Sequence, residues 1–248
     1  MSKTNHLQTL LCIGLFALTF GTIQSQNEMT INHQKKSNME TMKMTSQSHT
    51  LKLKKGELFL IISSITKPGA QNLMNDYFEK VFPIASKNGF KPLASLPIDK
   101  VVAGNYKPNN FVGLYSWPSM DAVQAFLMEL PNSELTTMRK KIWNELKQVI
   151  VSVEMDFEIT LHEAKVYEIQ TIWNDNQIKE DLKNFNGNII FNLPITGYED
   201  LNNGKKPTQT ILIEWDSKKD ANAYRTRKKP IIEESFITHL QLPEQKQD

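Results

Sequence analysis

Three polar residues have types and spacing suited to proton transfer. Glu168 and Gln170 lie two apart in the run KVYEIQTIW (165–173), and Glu214 lies in QTILIEW (209–215). Both runs alternate and are rich in β-branched and aromatic residues, the pattern of strands. In such a strand Glu168 and Gln170 share one face, while Tyr167, Ile169, Thr171 and Trp173 share the other. Adjacent, parallel strands about 4.8 Å apart would let Glu168 and Glu214 touch one small ligand. Two acids in one poorly hydrated space do not both ionise cheaply, so one titrates high and can act as a general base. On this reading Glu168 and Glu214 are the catalytic pair, Gln170 orients the substrate, and Tyr115 and Trp215 form apolar walls. The alternative is structural: both acids sit at strand ends, facing water or a lysine.

Other chemistry finds little support. His162 and His239 fall near the ends of strand-like runs, without the HxH, HxxxH or HxxE spacing of a metal or proton-relay site. Met39, Met42 and Met44, with His33 and His49 nearby, would suit copper(I), although the same residues also read as a flexible tail. The only cysteine, Cys12, lies in the N-terminal apolar run. No thiolate metal site or phosphate loop follows, and no metal is expected. The basic runs Arg139-Lys140-Lys141 and Arg225 to Lys229 read as solvated helix faces. They lack the interleaved aromatics of a nucleic-acid groove.

The chain has 248 residues, is 40% apolar and 23% charged, and carries a formal charge of +2, so no general field attracts nucleic acid or an anionic membrane. Residues 1–25 have the three parts of a secretory signal peptide: Lys3, the apolar run Leu10 to Phe20, and a small polar end at Ser25. A secreted or periplasmic protein without disulfides is the expectation. Residues 26–52 have the composition of a disordered linker, and residues 244–248 form a polar tail. No later segment reaches the length of an apolar membrane span.

The elements that must position the acids come in a repeating order. Strand patterns at Glu57–Ile65, Lys91–Ile98 and Asn110–Trp117 enclose a helix over Gly69–Asn88. A second helix opens at Ser119, a third runs through Leu135, Met138, Ile142, Leu146 and Val149, and a fourth strand follows over Ser152–Leu161. The order β-α-β-β-α-β is ferredoxin-like. It returns with strands at 165–173, 188–195, 209–215 and 234–242 and helices at 176–185 and 217–227. Landmarks recur at an offset of 97 to 99 residues: Leu-Pro-Ile at 96–98 and 193–195, and Lys-Pro at 107–108 and 206–207. Trp117, Ser119, Ala125 and Phe126 likewise match Trp215, Ser217, Ala223 and Tyr224. The fold expected is α+β: tandem repeats over 53–161 and 162–243, closing face to face as an intrachain barrel. A pocket between the two sheets is the default ligand site.

Gly104, the Trp117-Pro118-Ser119 turn, Ala122, Ala125, Phe126 and Arg139 make the first half resemble the dimeric α/β-barrel superfamily. That superfamily includes the antibiotic-biosynthesis-monooxygenase, EthD-like and NIPSNAP-like domains. The second half is similar but weaker, with Trp215-Asp216-Ser217 at the turn. The resemblance covers residues 53–243 and implies a pseudo-dimer within one monomeric chain. It matches no catalytic residue of a characterised branch position for position. Haem, bound by some members, would need an axial ligand, and no spacing selects His162 or His239, so no cofactor is expected. Two functions follow. One is a cofactor-independent oxygenase, isomerase or lyase acting on a small molecule. The other is a non-catalytic binding or accessory protein of an envelope nutrient-degradation system. A buried carboxylate in a pocket would favour the first, and a barrel filled with Leu, Ile and Phe the second.

Overall fold

Eleven short strands and four helices make up the described part of the chain, and their boundaries follow local chemistry. The computed structural model describes residues 47–104, 111–130, 132–173, 182–202, 204–227 and 234–241. The expected leader, the linker up to residue 46, Lys107-Pro108, the first part of the 176–185 helix and the polar tail lie outside the described residues. The strands are β1 (Ser48–Leu53), β2 (Leu58–Thr66), β3 (Lys91–Ala103), β4 (Phe111–Trp117), β5 (Trp143–Ser152) and β6 (Phe157–His162). Then come β7 (Val166–Ile172), β8 (Gly187–Pro194), β9 (Gly197–Asp200), β10 (Gln209–Trp215) and β11 (Glu234–His239). The helices are α1 (Gln71–Lys87), α2 (Met120–Glu129), α3 (Asn132–Ile142) and α4 (Lys218–Arg227). Ser119 caps α2 by accepting from the Ala122 amide at 3.2 Å, and Ser217 accepts from the Asp220 amide at 3.2 Å to start α4.

Nine strands form one antiparallel sheet in the order β8-β10-β7-β11-β3-β4-β2-β5-β9, and β1 pairs separately with β6. The order is β3-β4-β2-β5 in the first half and β8-β10-β7-β11 in the second, each with its first and third strands as central neighbours. The ends of the sheet meet. β8 and β9 lie at opposite ends of the order, yet only Ile195 and Thr196 separate them. The Ile195 amide donates to Thr208 O, and the Thr196 amide donates to Ile150 O in β5. Counting β8 and β9 as one bent strand gives a ferredoxin-like, barrel-type fold of eight strands. That number leaves an interior that side chains can fill.

Two layers of helix-side core and one inner core result. Leu58, Leu60, Ile62, Tyr115, Trp117 and Ile150 face α1–α3 with Tyr77, Phe126 and Trp143. Val166, Ile172, Ile211, Ile213 and Trp215 face α4, packing with Ala221 and Tyr224. Phe59, Ile61, Val112, Leu114, Tyr167, Ile169, Leu212 and Phe236 fill the interior, joined by Leu51, Leu53, Ile159 and Leu161 from the β1–β6 ribbon.

Four boundaries differ from the sequence reading. The third helix stops at Ile142, because the run from Leu146 to Val153 is β-branched and is buried on both faces: Leu146 and Ile150 outward, Val149, Val151 and Val153 inward. The fourth strand is therefore β5, and β6 pairs with β1 instead of joining the sheet. Strand structure begins at Ser48, inside the segment read as linker, because Leu51 and Leu53 are needed to cover the inner core. The 188–195 strand continues beyond its bend as β9, and residues 182–185 form a 3-10 turn.

Candidate functional site on the second half

Strand alternation decides which way each candidate points. Glu168 and Gln170 alternate with Tyr167 and Ile169, which face the inner core, so both polar side chains face α4. This corrects the expectation that they enter the inter-sheet space. Apolar side chains fill the ribbon-covered end of that space, and the polar pair faces the thinner helix side. β7 and β10 are adjacent, as expected, but antiparallel, with Glu214 opposite Tyr167 and Glu168 opposite Ile213. Glu214 therefore lies on the other face of the sheet from Glu168. Its Oε2 accepts from the Tyr167 hydroxyl at 3.1 Å, and burial, with Glu214 adding to it, raises the Tyr167 phenol above its ordinary value. The two acids do not form a pair.

Tyr115 and Trp215 do not wall a common space either. Tyr115 belongs to the first half's helix-side core, stacked on Phe90 with centroids 5.2 Å apart. Trp215 lies under α4 beside Tyr224, with its ring so close to Gly187 that a Cβ there would sit 2.5 Å from Cζ3.

What the structure does gather is a polar cluster beneath α4. Glu168, Gln170 and Ser235 are fully buried. Glu168 Oε1 accepts from Ser235 Oγ at 2.5 Å and from Gln170 Nε2 at 3.0 Å, and forms an ion pair with the Arg225 guanidinium. Arg225 also donates to Ser235 Oγ at 3.2 Å, and burial lowers its guanidinium to about 10. Glu168 Oε2, Gln170 Oε1 and Arg225 Nε are shielded from solvent without a hydrogen-bond partner. A buried acceptor or donor left unpaired is costly, so such atoms mark places where a water or ligand would be favoured. With one acid and one base, the cluster is close to neutral. It can orient a polar group through hydrogen bonds.

Arg225 is the residue that reading the sequence missed. Composition alone puts it in a solvated run, 225–229, and Arg139 in another, 139–141. Both are instead buried or nearly so, and Arg139 donates to Thr136 Oγ1 at 3.3 Å. The signal was present: Ala221, Tyr224 and Arg225 fall at i, i+3 and i+4, the face a helix turns inward. The histidines take structural positions: Tyr167 OH accepts from the His162 amide at 2.6 Å, and His239 Nδ1 lies 3.1 Å from Asp99 Oδ1. Among the described residues no group of three His, Cys, Asp or Glu is arranged to hold a metal ion. A groove of about 700 Å³ between α1 and α3 is lined by Leu73, Asp76, Lys80 and Glu134 among others, and contains none of the candidates.

No protein-family model and no curated protein matches the chain. Among solved structures it is similar to an anthrone oxidase-like protein, at 11% identity and a TM-score of 0.47, over 78% of this chain and 94% of that one. It is also similar to a variant chlorite dismutase from Candidatus Nitrospira defluvii, at 8% identity and a TM-score of 0.41, over 77% and 93% of the two chains.

Proposed function

We propose that the protein is an exported, non-catalytic small-molecule-binding protein, and that recognition takes place at the cluster of Glu168, Gln170, Arg225 and Ser235. The observation that carries this reading is the set of three unpartnered buried atoms on Glu168, Gln170 and Arg225. The binding reading is favoured over the enzymatic one because the inner core is filled with Leu, Ile, Val and Phe, and because Glu168 and Glu214 lie on opposite faces of the sheet.

The proposed site is specific to the second half of a tandem repeat. Equivalence of the halves is supported by pairing register: Leu58 lies opposite Trp117, and Val166 opposite Trp215. Leu60 and Ile62 then correspond to Glu168 and Gln170, and Leu127 of α2 corresponds to Arg225 of α4. Each Leu-Pro-Ile motif falls where a strand changes partner, β3 from β4 to β11 and the β8–β9 strand from β10 to β5. Export rests on the apolar run Leu10 to Phe20; N-terminal sequencing of native material should find a start near Gln26, and a soluble protein starting at Met1 would refute it.

The binding test exchanges the cluster for its first-half counterparts. A panel of metabolite-sized compounds is screened by thermal shift against the full chain and against Glu168→Leu/Gln170→Ile/Arg225→Leu. Compounds that stabilise the first and not the second support the reading. Shifts unchanged in the variant, or no shift from any compound, would overturn it.

A further inference from the structure

The inner face of the barrel is apolar at one end and charged at the other. The β1–β6 ribbon covers the end where β2 and β7 start and β5 finishes, with Leu51, Leu53, Ile159 and Leu161 in the inner core. At the other end Lys147, early in β5, lies opposite Ser63 of β2 on one side and Asp200 of β9 on the other. Lys147 Nζ reaches Glu234 Oε1 of β11 at 2.6 Å and Glu145 Oε2 at 3.5 Å. Glu234 lies opposite Thr171, and Thr171 opposite Thr210. Tyr198 donates to Asp200 Oδ2 at 3.3 Å, and its ring meets that of Trp173 edge to face at 6.3 Å.

Charge and shape select the ligand. Among the described residues Glu145, Asp200 and Glu234 surround one lysine, an excess of two acidic side chains in a space only partly open to water. The Glu145 and Lys147 side chains are 19% and 18% exposed and Glu234 is 6% exposed. The field of the acids outweighs burial at Lys147 and holds its ammonium charged, while burial raises the Glu234 carboxyl despite Lys147. A second feature points into the same face: the Thr210 hydroxyl is fully buried on the row shared with Thr171 and Glu234, and makes no hydrogen bond. The acids do not converge as a metal cage, and the Trp173–Tyr198 pair offers an aromatic surface of the kind that favours an organic cation over a bare ion.

We propose that this mouth of the barrel binds a small organic ammonium ion. Its nitrogen sits by Glu145 and Asp200, its carbon body lies against Tyr198 and Trp173, and the Lys147–Glu234 pair is left in place. This site is independent of the cluster beneath α4.

The test uses 2-phenylethylamine and its uncharged analogue 2-phenylethanol, titrated calorimetrically into the full chain at neutral pH. The amine should bind at least about tenfold more tightly than the alcohol, and more weakly as salt is added. Asp200→Asn removes the charge and keeps one carbonyl oxygen to accept from the Asn202 amide, with the new amide nitrogen facing the Tyr198 hydroxyl, and should weaken the amine severalfold while the chain stays folded. Glu145→Gln provides a second variant should Asp200→Asn fail to fold. Equal binding of amine and alcohol, no heat from the amine at millimolar concentration, or affinity unchanged in a folded variant would each overturn the proposal.

Discussion

The helix-covered faces of the two halves are built on one pairing register but differ in chemistry. In the first, Leu60, Ile62 and Leu127 pack under three helices with Tyr77, Phe126 and Trp143, and area removed from water is sufficient to hold the layers together. In the second, the corresponding positions are Glu168, Gln170 and Arg225, and the described cover is α4 with one 3-10 turn. A buried ion pair contributes less to stability than apolar residues of the same volume would. The second half therefore keeps at these positions a less favourable arrangement than the first, a difference that the proposed binding role would explain.

The largest test of that contrast is Arg225→Leu, which installs the first-half residue while leaving Glu168 buried without its ion-pair partner. It should lose about 3–5 kcal/mol in chemical denaturation; a loss comparable to an ordinary surface change would mean that the ion pair is not buried in solution.

Lys147→Met should come next, at roughly 2–3 kcal/mol, because its partner Glu234 is buried but Lys147 retains some solvent. The pH dependence has a definite sign. Glu234 has a folded pKa above its ordinary 4.5, so the folded chain binds more protons than the unfolded one, and this residue's contribution improves as pH falls from neutral toward that value. Removing Lys147 raises it further, so the deficit of the variant should shrink between pH 8 and pH 5. A deficit that is flat or grows over that range would contradict the assignment.

Helix starts should show the halves agreeing. Ser119→Ala and Ser217→Ala each remove the acceptor for one backbone amide, and each should cost about 1 kcal/mol. A difference between them larger than the whole effect would break the equivalence of α2 and α4. Smallest is Lys80→Ala, which removes an exposed pair with Glu134 across the α1–α3 groove and should change stability by under about 1 kcal/mol.

Much of this architecture can be read along the chain. The Leu-Pro-Ile motifs, the Trp-x-Ser turns and the alternation in β2, β4, β7 and β10 indicate element order, and the same alternation relates Leu60 to Glu168. Direction is where local pattern fails. Alternation says that Glu168 and Ile169 face opposite ways, but only the closed sheet decides which way is inward. A polar strand face suggests a ligand site in the interior, whereas the strands and the ribbon fill one end of that space with apolar side chains and the Glu168 face turns to α4. Leu146 and Val149 fit a helical spacing and a two-sided strand equally well, and long-range pairing with β2 selected the strand. Arg225 was read from its basic neighbours, although Ala221 and Tyr224 on the same helical face marked its direction.

The central claim is that the cluster beneath α4 is retained for binding rather than for holding the fold. Stability of Glu168→Leu/Gln170→Ile/Arg225→Leu by urea denaturation tests it most directly, alongside the thermal shift of any compound that stabilises the parent chain. The account predicts a folded variant that is as stable as the parent, or more stable by about 1–4 kcal/mol, and that no longer responds to the compound. A variant several kcal/mol less stable, or one that responds to the compound as the parent does, would contradict it.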